Sequence, residues 1–273
     1  MGTATTVLVS ESTKLCTILL VDDQGFVGMA VGRLLQGEAD LKLDCCLNAE
    51  EAVARAAETA PALILQDLVM PGLDGFSLVR QYRQNPVTAR TPIIVLSAND
   101  DVATRERALD AGATDYLVKL PPKADLIACV RRHLSAAGSA SAAPAAAAPG
   151  AVDPVLDLGV IADFCGSNLD DAAAFVLILV GQFMNETEAE LKALQFASDN
   201  DDRALLRLAV HRLKGGAATM GARRLAAVCG QLEDELGRPG RPTPHDLVQA
   251  AIEETTRARE ACGAIRKRYE PNP

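Results

Sequence analysis

Acidic residues close two apolar segments in the first half of the chain. Asp22 and Asp23 follow the segment Cys16–Val21, and Asp67 follows Ala62–Gln66. If the two segments are neighbouring parallel strands, three carboxylates meet at one edge of a sheet. Such a cluster repels itself unless a hard divalent cation is bound, and Mg²⁺ suits a few carboxylates, water and a phosphate oxygen. Asp67 can then attack a phosphoryl group and form an acyl phosphate.

Two more polar residues end apolar segments farther along the chain. Ser97 follows Pro92–Leu96, and Lys119 follows Thr114–Val118. A hydroxyl and an ammonium group at these positions would bind phosphoryl oxygens. Taken singly, each of these polar residues is more often a cap or a solvated charge. Their common position at four strand ends favours a phosphoryl-binding site.

A histidine in the second half of the chain lies in a predicted helix. Helical spacing places one apolar stripe towards a core, formed by Leu206, Val210, Leu213, Ala217 and Met220. His211 lies on the opposite side, and its helical neighbours there are Arg207, Lys214, Gly215 and Ala218. This pattern predicts an exposed imidazole between two cations.

Two glycines follow this histidine inside the helix. Gly215 and Gly216 each cost about 1 kcal/mol relative to alanine, and close approach of a partner over His211 would explain them. A neutral imidazole is a competent nucleophile towards an acyl phosphate, and Lys214 can bind the transferred phosphate. His133 and His245 lack such surroundings, so we interpret them as solvated side chains.

The remaining pattern divides the chain into two folded parts. Strand-like and helix-like segments alternate five times, the other strand being Lys42–Cys46, and the helices lie near Phe26–Leu35, Ala49–Glu58, Gly75–Arg83, Ala103–Ala111 and Lys123–Leu134. This order predicts an α/β fold, a doubly wound five-stranded parallel sheet. The second part is all-α, with a short helix at Val155–Cys165 and a four-helix bundle from Asp171–Phe196, Asp201–Met220, Ala222–Leu236 and His245–Tyr269.

Composition sets the boundaries between these parts. Residues 135–152 are rich in Ala, Pro and Ser and predict a flexible linker. We therefore expect an N-terminal tail at 1–14, the α/β domain at 15–134 and the bundle at 153–270. The formal net charge of −9 and the absence of a basic cluster argue against direct nucleic-acid binding.

Several broad classes are excluded by the same sequence. The odd number of cysteines, seven, and the lack of a CxxC pair argue against a disulfide framework or zinc site and favour buried free thiols. The longest apolar run, Ala172–Val180, is too short for a bilayer, and no signal peptide pattern opens the chain. We expect a cytoplasmic protein without membrane insertion.

The segment from Cys16 to Leu134 resembles the receiver domain of two-component response regulators. The resemblance rests on the motifs LLVDDQ (19–24), LILQDLVMPGLDG (63–75), PIIVLSAND (92–100) and AGATDYLVKL (111–120). The sequences of these motifs are similar to those of receivers that precede diguanylate cyclase domains. It implies a flavodoxin-like (CheY-like) fold with Asp67 as phosphoacceptor. It also implies that Mg²⁺ binds Asp22, Asp23, Asp67 and the Val69 carbonyl, with Ser97, Lys119 and Tyr116 as switch residues. Lys119 is followed here by Leu120, where receivers commonly have proline.

The segment from Asp153 to Tyr269 resembles the histidine phosphotransfer, or HPt, domain. The motif HRLKGGAATMGA (211–222) followed by LAAVCGQLE (225–233) carries this resemblance. It implies that His211 is phosphorylated, that Lys214 supports the phosphate and that Gly215 lies beneath a docked partner. Arg207 belongs to the same face.

Together the two resemblances imply a phosphorelay protein that is not an enzyme in the usual sense. With neither an ATP-binding transmitter motif nor a GGDEF-type segment in the sequence, it is expected to relay phosphate but not to start a signal from ATP. The implied partners are a sensor histidine kinase or other phosphohistidine donor, which would dock near Phe26 and Met29, and a partner receiver domain. His211 exchanges phosphate either with Asp67 of its own chain or with another receiver, and the sequence does not choose between them. An alternative is a binding module in which the receiver gates access to the helical bundle and the bundle sequesters a partner; homodimer formation also stays open.

Overall fold

The structure, a computed structural model, describes residues 15–97, 102–119, 121–135, 155–157, 169–238 and 240–269. The expected tail at 1–14, nearly all of the linker at 135–152 and most of the short helix at Val155–Cys165 lie outside these ranges, as does Leu120. Ser135, the expected first linker residue, is the last residue of a helix.

Five parallel strands form the sheet of the first part. They are β1 (Cys16–Val21), β2 (Leu41–Cys46), β3 (Leu63–Asp67), β4 (Ile93–Ser97) and β5 (Asp115–Val118), in the spatial order β2-β1-β3-β4-β5. The chain order reverses between β1 and β3, and this is where open α/β sheets collect their chemistry. The register pairs Val21 with Gln66 and Ser97 with Val118, so the strands' carboxyl ends lie side by side.

Helices cover both faces of this sheet, which confirms the predicted doubly wound architecture. They are α1 (Gly25–Leu34), α2 (Ala52–Thr59), α3 (Gly75–Gln84), α4 (Val102–Asp110) and α5 (Lys123–Ser135). Alternate strand residues enter opposite cores. Ile18 and Leu20 face the side of α1 and α5, whereas Leu19 and Val21 face the side of Phe76 and Tyr82 on α3.

Four helices form the second part within the residues that the structure describes. They are α6 (Leu169–Asp199), α7 (Arg203–Thr219), α8 (Arg223–Gly237) and α9 (His245–Tyr269), and each packs on its neighbours in chain order, with α9 closing onto α6. Asp202 caps α7 by accepting a hydrogen bond from the Leu205 amide at 3.0 Å. The predicted apolar stripe of α7 is fully buried, which confirms its orientation in the bundle.

The sheet part and the bundle share one apolar core. Phe26 of α1 and Phe183 of α6 are both buried in the same cluster, which runs on into α7, α8 and α9. Arg33 of α1 also stacks over the Phe175 ring at 5.4 Å. The bundle therefore packs directly on the α1 side of the sheet domain.

Two smaller expectations can be compared with the described residues. Six of the seven cysteines lie there and none is in a disulfide, but Cys45 is exposed because β2 is an edge strand, so the expectation of buried thiols is wrong for it. None of the described helices combines the length and apolarity needed to cross a membrane.

Candidate functional site

The three predicted carboxylates meet at the carboxyl ends of β1 and β3. Oxygens of Asp22, Asp23 and Asp67 all lie within 4.8 Å of one another. Lys119, which follows β5, places Nζ 3.0 Å from Asp22 Oδ2 and 2.9 Å from Asp67 Oδ2. Asp22, Asp67 and Lys119 are buried, so these ion pairs lie in a region with little water to screen them.

Burial dominates the electrostatics of this acidic cluster. It raises the pKa of Asp22 to about 7; the positive charge of Lys119 opposes the rise and the negative charge of Asp67 adds to it. Burial would lower the pKa of Lys119, but the charges of Asp22 and Asp67 outweigh it and raise that pKa. One ammonium group therefore faces an excess of negative charge.

The cluster fits a hard divalent cation. Asp23 Oδ1 and Asp67 Oδ1 are buried and have no hydrogen-bond partner. Unpaired buried carboxylate oxygens are costly, and a cation that takes oxygen ligands would satisfy them. Val69, two residues past Asp67, forms an isolated bridge with Asp74.

A glycine to which the sequence analysis gave no role shapes the loop after Asp67. A Cβ on Gly75 would lie 2.5 Å from the Asp67 carbonyl oxygen and 2.6 Å from Leu68 Cα. Both atoms belong to the backbone, so only glycine lets α3 begin this close to β3. The DG pair in LILQDLVMPGLDG is the signal that could have identified it.

The other predicted residues of the sheet domain lie at the ends of the last two strands. Ser97 is buried as the last residue of β4, and Tyr116 is buried in β5. On α4, Arg107 stacks over the Phe76 ring at 4.4 Å. Ser97 and Arg107 line the same cavity.

His211 is held by a carboxylate of the neighbouring helix α8. Its Nδ1 lies 2.7 Å from Glu233 Oε1, and Lys214 Nζ lies 3.0 Å from Glu233 Oε2. Burial would raise the pKa of Glu233, but the hydrogen bond with His211, together with the charge of Lys214, lowers it to about 2. The ionised Glu233 therefore fixes the proton on Nδ1. His211 Nε2 is buried and has no hydrogen-bond partner, so its lone pair is available.

The surroundings of His211 differ from the sequence prediction in one respect. The imidazole was expected on an exposed face, but His211 and Lys214 are each only 6% exposed. They are buried because the sheet domain packs over this side of α7. Arg207, one turn earlier, is exposed at the rim of the cavity.

Polar contacts join the acidic cluster to the helix that carries His211. Arg212 donates from Nε to Asp23 Oδ2 at 2.8 Å, and its other nitrogens lie 2.6 Å from the same oxygen and 3.1 Å from Glu190 Oε1. Gln24 donates from Nε2 to the Arg212 carbonyl at 2.8 Å, while its Oε1 lies 3.5 Å from Lys119 Nζ. Asp23 of the acidic cluster and the following residue, Gln24, thus both bind Arg212, which is the residue after His211.

The paired glycines of α7 lie at this contact. A Cβ on Gly215 would lie 2.8 Å from Gln24 Oε1, whereas one on Gly216 would meet Phe183 at 3.4 Å and Phe26 at 3.5 Å. Phe26 was predicted as a partner contact; in the structure it is buried against the chain's own bundle. Met29 is partly buried against the same core.

A carboxylate of the bundle also binds the N-terminus of α1 in the sheet domain. The residue that precedes α1, Gln24, makes no side-chain cap. Glu186 of α6 instead accepts a hydrogen bond from the Phe26 backbone amide. Helix N-termini have unpaired amides and a partial positive charge, so this carboxylate stabilises α1 from the other domain.

A cavity of about 500 Å³ lies between the two groups of residues. From the sheet domain it is lined by Val69, Ser97 and Arg107, among others, and from the bundle by Arg207, His211, Glu233 and Arg238. A neighbouring cavity of about 200 Å³ is lined by Asp23, Gln24 and Arg212. His211 of the bundle and Ser97 at the carboxyl end of β4 therefore line one cavity.

Comparison with known families agrees with this geometry. The family model of the response regulator receiver domain matches residues 18–131, and the model of the Hpt domain matches residues 178–265. The chain carries a receiver domain followed by an Hpt domain. Both domains belong to families of phosphorelay signalling, and the two domains recognised from the sequence motifs are confirmed.

Relatives match one or both of these domains. The phosphate regulon transcriptional regulatory protein PhoB of Rhizobium meliloti is 36% identical over 117 residues, 43% of this chain and 51% of that protein. The signal transduction histidine-protein kinase BarA of Shigella flexneri is 26% identical over 261 residues, which are 93% of this chain and 28% of BarA. The BarA match therefore includes both the receiver and the Hpt domain. The chain spans about half or less of the length of these curated relatives.

A solved receiver structure is also similar to the first domain. It is the receiver of the sensor histidine kinase PA1611 from Pseudomonas aeruginosa PAO1, with a magnesium ion coordinated in its active-site cleft. Sequence identity is 31% and the TM-score 0.42, and the match covers 45% of this chain and 99% of that one.

Proposed function

We propose that this protein passes a phosphoryl group between Asp67 of the receiver and His211 of the Hpt domain within one chain. A phosphohistidine of a sensor kinase or of another Hpt domain would first load Asp67. One observation carries the proposal: His211, whose Nε2 has no hydrogen-bond partner, and the receiver's Ser97 line the same cavity, while Asp23 and Gln24 bind the adjacent residue of α7.

Transfer of the phosphoryl group from Asp67 to His211 needs no further reactant. His211 Nε2 attacks the phosphorus of the Asp67 acyl phosphate, the P–N bond forms and the P–O bond to the carboxylate breaks. The Asp67 carboxylate leaves as an anion next to Lys119. The proton already on His211 Nδ1 stays there, held by the Glu233 carboxylate at 2.7 Å. The step is reversible, so the same geometry also serves transfer back to Asp67.

The residues around the cavity have distinct roles in this proposal. Asp22, Asp23, Asp67 and the Val69 carbonyl would hold Mg²⁺, which disperses charge on the phosphoryl group when bound. Ser97 and Lys119 bind phosphoryl oxygens on the receiver side, and Tyr116 follows the movement of Ser97. On the Hpt side Glu233 and Lys214 position His211, and Arg207 attracts the phosphoryl group from the rim of the cavity.

Radiolabelled phosphoryl transfer tests the proposal. Asp67 is loaded by a labelled small phosphodonor with Mg²⁺, and acid-labile, base-stable label is followed on the histidine. The wild type should transfer at a rate independent of chain concentration, because the donor and acceptor are in one molecule. Asp67→Asn should take up no label, and His211→Gln should hold label only on Asp67. His245→Gln, which removes an exposed histidine, is the matched control and should behave as wild type.

A mixture of variants separates transfer within a chain from transfer between chains. Asp67→Asn supplies only the histidine and His211→Gln supplies only the aspartate. Label that appears on His211 at a comparable rate in this mixture would contradict an intramolecular relay. It would mean that the two sites serve partner molecules.

The burial of His211 supports a second function, in which the receiver gates the Hpt domain. In the docked chain the receiver covers α7, so an external receiver has no access to the imidazole until the domains separate. Phosphorylation of Asp67 would then regulate access, and the bundle would bind or release a partner. Full signalling output from His211→Gln would favour this function, because gated binding needs the surface of α7 but not the phosphorylated residue.

A further inference from the structure

Arg212 connects the two domains through the carboxylate of a proposed metal ligand. Two of its nitrogens lie 2.8 and 2.6 Å from Asp23 Oδ2, and Asp23 is largely buried in the contact. The third nitrogen pairs with Glu190 of the Hpt domain at 3.1 Å. The guanidinium therefore neutralises one of the three carboxylates of the acidic cluster from the other domain.

A cation bound to the acidic cluster would meet this guanidinium across one small carboxylate. Asp23 Oδ1 is the oxygen without a partner, so a cation bound there lies on the opposite side of the same carboxylate from Arg212. Two cations that bind one buried carboxylate repel each other, and each of them weakens the attraction of the carboxylate for the other. Lys119 pairs with Asp22 and Asp67 but not with Asp23, so Asp23 is the ligand whose charge the two cations must share.

We propose that Arg212 makes divalent-cation binding and domain docking compete. Cation binding to the receiver weakens the Arg212–Asp23 contact and favours separation of the Hpt domain, and docking weakens cation binding to the same degree. This rests on the proposed role of Asp22, Asp23 and Asp67 as cation ligands, but not on phosphoryl transfer. The consequence is that the metal-free receiver is closed against its own Hpt domain, and that loading with Mg²⁺ helps to open Asp67 to an external donor.

Calorimetric titration of the full chain with Mg²⁺ measures how much the Arg212–Asp23 contact weakens Mg²⁺ binding. At fixed ionic strength, Arg212→Ala should bind Mg²⁺ about fivefold or more tightly than wild type, the lower end of ordinary coupling between two sites. Arg257→Ala is the matched control: it removes the same charge from a side chain that is 52% exposed and pairs with Glu254, and it should leave the affinity unchanged. Equal or weaker binding in Arg212→Ala would overturn the proposal and make Arg212 a residue that only orients Asp23.

Chemical modification of the histidines measures the effect of Mg²⁺ on domain docking, and it can be carried out on the wild type. Diethyl pyrocarbonate should modify His211 slowly in the metal-free wild type, because the docked receiver buries it, and Mg²⁺ should accelerate the reaction severalfold. His245 is exposed and serves as the internal reference in the same mass spectra. In Arg212→Ala, modification should be fast from the start and insensitive to Mg²⁺. No acceleration in the wild type would overturn the competition, and no Mg²⁺ binding in any variant would overturn the metal assignment with it.

Discussion

Gly215→Ala should change helix stability and domain docking in opposite directions. The new Cβ would lie 2.8 Å from Gln24 Oε1, closer than carbon and oxygen normally approach. The Gln24 side chain is not free to swing away, because its Nε2 donates to the Arg212 carbonyl at 2.8 Å and its Oε1 lies 3.5 Å from Lys119. Either this hydrogen bond is lost or the domains move apart.

The two effects have similar magnitude. Replacing a glycine inside a helix by alanine stabilises it by about 1 kcal/mol, so α7 and the bundle gain stability. Loss of one hydrogen bond costs about 1 kcal/mol, roughly a fivefold decrease in the docking equilibrium constant. The free energy of unfolding of the whole chain should therefore change little, while the undocked population rises about fivefold.

Modification of His211 by diethyl pyrocarbonate measures that population directly. Its rate in Gly215→Ala should rise about fivefold over wild type, in proportion to the open form. Gly216→Ala is the matched control, because its Cβ makes ordinary contacts with Phe183 at 3.4 Å and Phe26 at 3.5 Å. It should gain the same helix stability without exposing His211. A Gly215→Ala chain as protected as Gly216→Ala would refute the reasoning, because Gln24 would then not be a fixed part of the docked contact.

Three further perturbations test individual contacts. Glu233→Gln should slow phosphoryl transfer to His211 roughly tenfold, since a charge-assisted hydrogen bond is lost. The pKa of Glu233 is about 2 against an ordinary 4.5, so its carboxylate stabilises the folded chain fully above pH 4.5, and this contribution is lost as the pH falls towards 2. The free energy of unfolding of Glu233→Gln, measured with denaturant, should therefore depend less on pH in that window than that of the wild type. Lys119→Met leaves the acidic cluster without its ammonium, so added Mg²⁺ should raise the Tm of the variant more than that of wild type; an equal rise would contradict the cluster's charge excess. Tyr82→Phe should destabilise the receiver by about 1–3 kcal/mol in chemical unfolding, because the Tyr82 hydroxyl donates to buried Gln66 Oε1 at 2.9 Å; an unchanged midpoint would mean that Gln66 finds another donor.

The receiver fold and the acidic cluster were predictable because their signals are local. Apolar strand segments end at Asp22, Asp67 and Ser97, and parallel strands bring their carboxyl ends together whatever the details of packing. The observed strand bounds differ from the predicted ones by about a residue. The helical period likewise predicted the buried stripe of α7.

The domain contact left no comparable signal in the sequence. Arg212 and Asp23 are 189 positions apart, and neither residue type is unusual for a solvated surface. His211 was therefore expected to be exposed, whereas the packing of the sheet domain over α7 buries it. Glu233 is 22 positions from His211 in an ordinary amphipathic helix, where a polar residue on the outer face is the common case.

The apolar core shared by α1 and the bundle makes the docking equilibrium sensitive to temperature. Separation of the two domains would expose Phe26, Phe183 and their neighbours to water, and this exposure is accompanied by a positive change in heat capacity. Apolar association weakens on cooling, whereas the Arg212–Asp23 ion pair depends mainly on ionic strength. The same relay would therefore rest more open in the cold than in the warm, so that ambient temperature becomes an input to the protein alongside its phosphate donor.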